Sequence, residues 1–144
     1  MKLVKQISIF VENKPGALAD ALAAIGEKGI DISALSIADT KDFGILRLIV
    51  NEPDAAVEAV KEIGMIVKTA DVIAIAVDDV PGGLAGALKK LKEYDVFIEY
   101  MYAFIGKGPE SAMVIIRAED PDAAVAALAK TDIKVFDAEE IYAL

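Results

Sequence analysis

Histidine and cysteine are both absent from this chain, and with them goes most of the side-chain chemistry that proteins perform near neutral pH. A Ser-His-Asp or Cys-His nucleophile, a histidine general base and a conventional zinc site each need an imidazole or a thiolate. What remains is carboxylate, lysine, tyrosine and arginine chemistry, or binding without chemistry. The residues best suited to binding recur: Asn13-Lys14-Pro15-Gly16-Ala17-Leu18-Ala19 returns as Asp79-Val80-Pro81-Gly82-Gly83-Leu84-Ala85. A turn with no side chain at Gly16 lets a ligand approach the backbone. Free amides around Gly16, Ala17 and Leu18 at a helix N-terminus favour a carboxylate, and Asn13 offers both a donor and an acceptor. The plainer reading of the same letters is a tight strand-to-helix turn in which Asn13 or Asp79 caps the helix.

Other chemistry-bearing groups are weaker candidates. Arg47 and Arg117 are the only arginines; each sits in or ends a β-rich run, where a solvated or ion-paired place on the uncovered sheet face is expected over a carboxylate clamp. Asp42-Phe43-Gly44 spells a kinase triad without any other kinase feature, and Gly106-Lys107-Gly108 lacks the spacing and the Ser/Thr of a phosphate loop. Both read as hairpin turns. Glu119, Asp120 and Asp122 stand where a helix dipole favours negative charge, so no metal site is expected.

The elements that must position these residues also come twice. Pro53-Asp54-Ala55-Ala56-Val57 recurs letter for letter as Pro121-Asp122-Ala123-Ala124-Val125. Pro15 and Pro81 are 66 apart and Pro53 and Pro121 are 68 apart, so the copies differ by about two residues, placed in a loop. That period is too long for a solenoid unit of about 20–50 residues. Ile7, Ile9 and Val11, like Ile73, Ile75 and Val77, alternate with other residues in the manner of a strand. Leu18, Leu22 and Ile25 then share one helical face, as do Leu84, Leu88 and Leu91. Pro15 and Pro81 are read as opening these helices.

Ile30 to Ala38 with Ile45 to Val50, and Val96 to Phe104 with Ala112 to Arg117, read as hairpins. Their loops span Asp39 to Gly44 and Ile105 to Glu110. The Pro-Asp-Ala-Ala-Val segments open second helices that bury Val57, Val60 and Ile63 in one copy and Val125 and Leu128 in the other. Met65 to Thr69 and Ile133 to Asp137 close the copies as strands. Each copy is β-α-β-β-α-β, so the fold class is α+β: two tandem ferredoxin-like domains, residues 1–70 and 71–144, each an antiparallel sheet with helices on one face. Val72 to Val77 follows directly on the first copy, so the joint is short and stiff. Ala34, Ser36 and Ala38 correspond to Tyr100, Tyr102 and Phe104, a contrast of small groups with aromatics that suits complementary packing or the lining of an apolar pocket.

Composition bounds the partners. With 144 residues, 56% of them hydrophobic, the chain can bury substantial cores. A net charge of -9 repels phosphate backbones, so nucleic acid is not expected. No apolar run approaches a membrane span and the start lacks a secretory core, so the expected location is the cytoplasm and no membrane partner is foreseen.

A strand ending in Asn/Asp-x-Pro-Gly-x-Leu, a helix, then Gly29-Ile30-Asp31-Ile32 opening the second strand resembles the ACT domain, a small-molecule-sensing module attached to many enzymes of amino-acid metabolism. The resemblance covers the whole chain as two modules with no catalytic domain. It implies that an amino acid sits at the turn, against the start of the second strand near Ile30, Asp31 and Ile32 and at a contact between two modules, with Asp31 available to the ammonium. The second copy keeps Asp79, Pro81, Gly82 and Leu84, but Val96, Phe97 and Ile98 stand where Ile30, Asp31 and Ile32 do. The expectation is a non-enzymatic, cofactor-free, amino-acid-binding regulatory protein, homodimeric because edge strands seek cover, with an enzyme of amino-acid metabolism as a possible partner. The alternative is a structural or regulatory subunit whose pockets have degenerated.

Overall fold

The computed structural model describes residues 1–40, 42–105 and 112–144. Along these residues run β1 (Val4–Glu12), α1 (Ala17–Glu27), β2 (Ile32–Asp39), β3 (Phe43–Val50), α2 (Pro53–Glu62), β4 (Ile66–Val77), α3 (Gly83–Lys92), β5 (Ile98–Ala103), β6 (Ala112–Ala118), α4 (Pro121–Leu128), β7 (Val135–Phe136) and α5 (Ala138–Tyr142). Contacts divide the chain into two compact units: Lys5–Ala70 with Ala143, the first module, and Met1–Val4, Asp71–Tyr142 and Leu144, the second. Each repeats the β-α-β-β-α-β order. The strand order is β2-β3-β1-β4 in the first module and β7-β4-β6-β5 in the second. β4 runs unbroken from Ile66 to Val77, so the strand that closes the first module and the strand that opens the second are one.

Each sheet buries its alternating residues under its own helices. Ile7, Ile9 and Val11 of β1 pack with Leu46, Leu48 and Val50 of β3 against Ala21 and Ile25 of α1 and Val60 of α2. Ile73, Ile75, Val114 and Ile116 meet Ala87, Leu91 and Leu128 in the second module. The face α1 turns inward is Ala17, Ala21, Ala24 and Ile25, a stripe at helical spacing whose small side chains let the helix lie close to the sheet. Leu18, expected on that face, is therefore displaced to the flank and is 38% exposed. Ile63, also expected inside, is 46% exposed because α2 ends at Glu62 and Ile63 is its C-cap.

A bulge falls at the same place in both copies, between Ile32 and Ala34 in β2 and between Ile98 and Tyr100 in β5. It switches the side-chain alternation. Ile32 and Ile98 pack on the helix-covered cores. Beyond the bulge, Ala34, Ser36 and Ala38 lie opposite Ile49, Arg47 and Ile45, and Tyr100 and Tyr102 opposite Arg117 and Ile115, on the helix-free face as the 66-residue offset predicts. Arg117 is half-buried there, and its Nη1 donates to the carbonyl of Asp71 at 2.7 Å.

The ends of the second module depart from the sequence reading. β7 has two residues instead of five, because Asp137 and Glu140 form a reciprocal cap that starts α5. The Glu139 amide donates to Asp137 Oδ2 at 3.3 Å and the Asp137 amide to Glu140 Oε2 at 2.8 Å. The chain start joins this module: Lys2 N donates to Asp137 Oδ1 at 2.8 Å, Ala138 N to Lys2 O at 3.0 Å, and Leu3 packs against its core. The Gly106-Lys107-Gly108 turn and the rest of the β5–β6 loop after Ile105, together with Lys41 of the β2–β3 loop, lie outside the described residues.

Candidate functional site

The two Pro-Gly turns are built alike, bond for bond. The amides of Lys14 and Val80 donate to the carbonyls of Glu12 and Asp78, each at 2.9 Å; those of Ala17 and Gly83 donate to Lys14 and Val80 at 3.3 and 3.0 Å; those of Asp20 and Gly86 close the first helical turns on Gly16 and Gly82, each at 2.9 Å. Gly16 and Gly82 are the N-caps, with φ of 87° and 82°, a left-handed conformation that glycine alone takes readily. Neither cap receives a side-chain hydrogen bond, so Asn13 and Asp79 do not cap these helices. Pro15 and Pro81 precede the caps and lie outside the helices; Pro53 and Pro121 are the prolines in the first helical turn.

Among the described residues, the amides of Gly16, Leu18 and Ala19, and of Gly82, Leu84 and Ala85, have no protein acceptor. Ala17 was expected to offer its amide too. That donor is taken by Lys14, and Ala17 is buried. Gly83, its counterpart, is tighter still: a Cβ there would lie 2.0 Å from the carbonyl oxygen of Asp78.

Openings flank both turns. In the first module a cleft of about 160 Å³ is lined by Val11, Glu12, Asn13, Lys14, Leu18, Ile37, Gly44 and Leu46. On the other side of that turn a groove of about 280 Å³ touches Phe10, Ala17, Asp20, Phe43 and Ile63 to Ile66. The matching groove of the second module measures about 560 Å³ and is lined by Gly82, Gly83, Gly86, Lys90 and Asp132 to Lys134, among others. Asp20 is replaced there by Gly86, which widens the groove. Its lysines are engaged: Lys90 pairs with Asp132, and Lys134 lies 3.2 Å from Glu140 and 4.6 Å over the Phe136 ring. The bond from Lys90 holds the Asp132 carboxyl below its ordinary value.

Asn13 ties the turn to the β2–β3 hairpin. Its Nδ2 donates to the Thr40 carbonyl at 3.0 Å and to Asp39 Oδ1 at 3.4 Å, and its amide to Asp42 O at 3.3 Å. Asp31 is exposed; its amide donates to Asn51 Oδ1 at 3.0 Å and its carbonyl accepts from the Asn51 amide at 3.2 Å. Within one module the turn and Asp31 stand at opposite ends of the sheet. Val11 pairs with Gly44 at one end and Ile32 with Val50 at the other, which separates them by most of the length of β2. Ile30 is buried in the core and Ile32 packs on it. Val96 and Ile98 likewise pack on the second core, while Phe97 is 63% exposed. Sequence reasoning overlooked Ile37 and Gly44 as neighbours of the turn; the β2–β3 register that brings them there follows from the bulge.

Among the described residues no group of three or more acidic side chains is placed to hold a metal ion, and no helix is long and apolar enough to cross a membrane.

Comparison with known proteins adds relatives. The family described as an ACT domain pair matches residues 2–144. Protein BT0572 from Bacteroides thetaiotaomicron is 40% identical, with 99% of this chain and 97% of that one covered and a TM-score of 0.91. The regulatory subunit of aspartate kinase from Thermus thermophilus, in its ligand-free form, is 20% identical over 89% of this chain and 93% of its own, with a TM-score of 0.63. The aspartokinase alpha and beta subunits follow at 17% identity, 90% and 96% coverage and a TM-score of 0.55; these two likenesses are of fold. A search of curated proteins finds no match.

Proposed function

The chain belongs to the family of ACT domain pairs, and from that premise we propose that it is an amino-acid-binding regulatory protein with no catalytic activity of its own. The observation that carries this reading is the repeated turn. Each turn leaves three amides without protein acceptors beside an opening, and such amides at the positive end of a helix suit a carboxylate. The absence of His and Cys from the sequence fits a role in binding.

The ammonium end needs a second copy of the chain. Asp31 cannot reach the turn of its own module, but β2 is an edge strand. Antiparallel pairing of β2 with β2 of another copy sets the start of one strand beside the end of the other. Asp31 of one copy then approaches Asp39 and Thr40 of its partner, to which Asn13 is bonded. Ile32 to Ala38 carries no charge and no proline to oppose such pairing. A homodimer thus completes the site, and ligand and assembly are coupled. The likeness in fold to a regulatory subunit of aspartate kinase supports an enzyme of amino-acid metabolism as the partner that reads the signal.

A melting screen against each common amino acid at millimolar concentration tests this. A ligand at 100 times its dissociation constant adds about 2.7 kcal/mol, which at this chain length raises the midpoint by about 5–10 °C. Gly16→Val is expected to abolish the first-module response by filling the approach to the amides. Flat curves for every amino acid would leave the alternative, a subunit acting only by protein contact. A response indifferent to Gly16 would place the ligand elsewhere.

A further inference from the structure

We propose that the cleft beside the first turn holds the side chain of the bound amino acid and selects an apolar one of about four to seven non-hydrogen atoms, the size of leucine, isoleucine, methionine or phenylalanine. This rests on the amino-acid reading above and deepens it to a ligand class. Leu18, whose amide has no protein acceptor, lines the cleft, and Val11, Ile37 and Leu46 add further aliphatic wall beside Glu12, Asn13 and Lys14. Val11 and Leu46 are buried, but Leu18 is 38% and Ile37 49% exposed. The core uses neither of the last two, and both gain cover from an apolar group set between them. The volume of about 160 Å³ matches the roughly 150 Å³ in which an apolar protein cavity holds a benzene ring.

Glu12 and Lys14 at the rim of the cleft pair with each other at 3.2 Å, and the Asn13 amide group donates to the hairpin. Gly44 lines the cleft as well. A Cβ there would sit 3.7 Å from Asn13 Oδ1 and 3.8 Å from Ile37 Cγ2, ordinary contact, so a longer side chain at Gly44 grows into the cleft. The second module does not repeat the arrangement: Ala103 stands at the position of Ile37 and Ala112 at that of Gly44.

Calorimetric titration of the full chain with glycine, alanine, valine, leucine, isoleucine, methionine, phenylalanine, aspartate and lysine tests the proposal. Each methylene taken into the cleft is worth about fourfold in affinity. Leucine is expected to bind tens of times more tightly than alanine, and aspartate and lysine not measurably. Ile37→Ser is expected to flatten the ranking, and Gly44→Leu to weaken leucine by tens of fold while sparing alanine. If alanine or aspartate binds as tightly as leucine, or if the ranking survives Ile37→Ser, the selectivity is refuted while the amino-acid reading stands. If no amino acid binds the unaltered chain, both fail together.

Discussion

Three glycines within five residues of the second turn answer differently to the same substitution, and the contrast tests the geometry of the proposed site. At Gly83 an added methyl would lie 2.0 Å from the Asp78 carbonyl oxygen and 3.0 Å from its carbon. Restoring ordinary contact near 3.4 Å moves backbone by roughly 1.4 Å, so Gly83→Ala is expected to cost about 1–3 kcal/mol as overpacking. At Gly82 nothing lies within 4 Å, but φ is +82°; Gly82→Ala meets only the left-handed penalty, about 1–2 kcal/mol. Gly86 also has open space, and it sits inside α3 at an ordinary φ. There alanine is the better helix former, and Gly86→Ala is expected to stabilise by about 0.5–1 kcal/mol. Thermal melts followed by circular dichroism read these as shifts of about 2–4 °C per kcal/mol, downward for the first two and upward for the third. All four tyrosines lie beyond residue 93 and tryptophan is absent, so tyrosine fluorescence reports the same change from the second module alone. A neutral Gly83→Ala, or a Gly86→Ala that destabilises as much, would refute the turn as described and with it the placement of the acceptor-free amides.

Asp95 has φ +54° where its counterpart Gly29 has +72°, each just past the end of a helix. Asp95→Gly is expected to stabilise by about 0.5–1 kcal/mol in urea unfolding, and a loss of stability would mean that the Asp95 side chain earns its place by some other contact. Acid acts on the second module: Asp132 is held below its ordinary value by the bond from Lys90, Asp137 by the amides of Lys2 and Glu139, and Glu140 by the Asp137 amide and Lys134. A carboxylate lowered in the fold contributes stability above its unfolded value and loses it as pH falls through its folded one. Tyrosine fluorescence is therefore expected to change as pH drops below about 4, with Glu140→Gln reducing the pH dependence; an unaltered acid profile in that variant would refute the role of the cap.

The duplication and the β-α-β-β-α-β order were legible because each is local. Period-2 and helical spacing, with Pro-Gly between them, report conformation over a few residues. Leu18 was misread for an instructive reason. Its spacing with Leu22 and Ile25 satisfies the helical pattern, but the Ala17-Ala21-Ala24 stripe, invisible to a count of large residues, lets the helix lie closer to the sheet and turns Leu18 outward. Ala17 was misread as a free donor because its bond to Lys14 depends on how tightly the turn closes.

By its letters alone this chain determined that it holds two α+β modules joined without a linker, that imidazole and thiolate chemistry are excluded, and that two glycines mark strand-to-helix turns. Which amides stay free, that Asn13 holds a hairpin and does not cap a helix, that Met1–Val4 join the second module, and that Ile37 and Gly44 stand beside the turn were decided only in three dimensions. The physical reason is range. Backbone preference and hydrophobic period act between near neighbours in sequence, whereas register, closure of a turn and the pairing of donors with acceptors are settled between segments tens of residues apart.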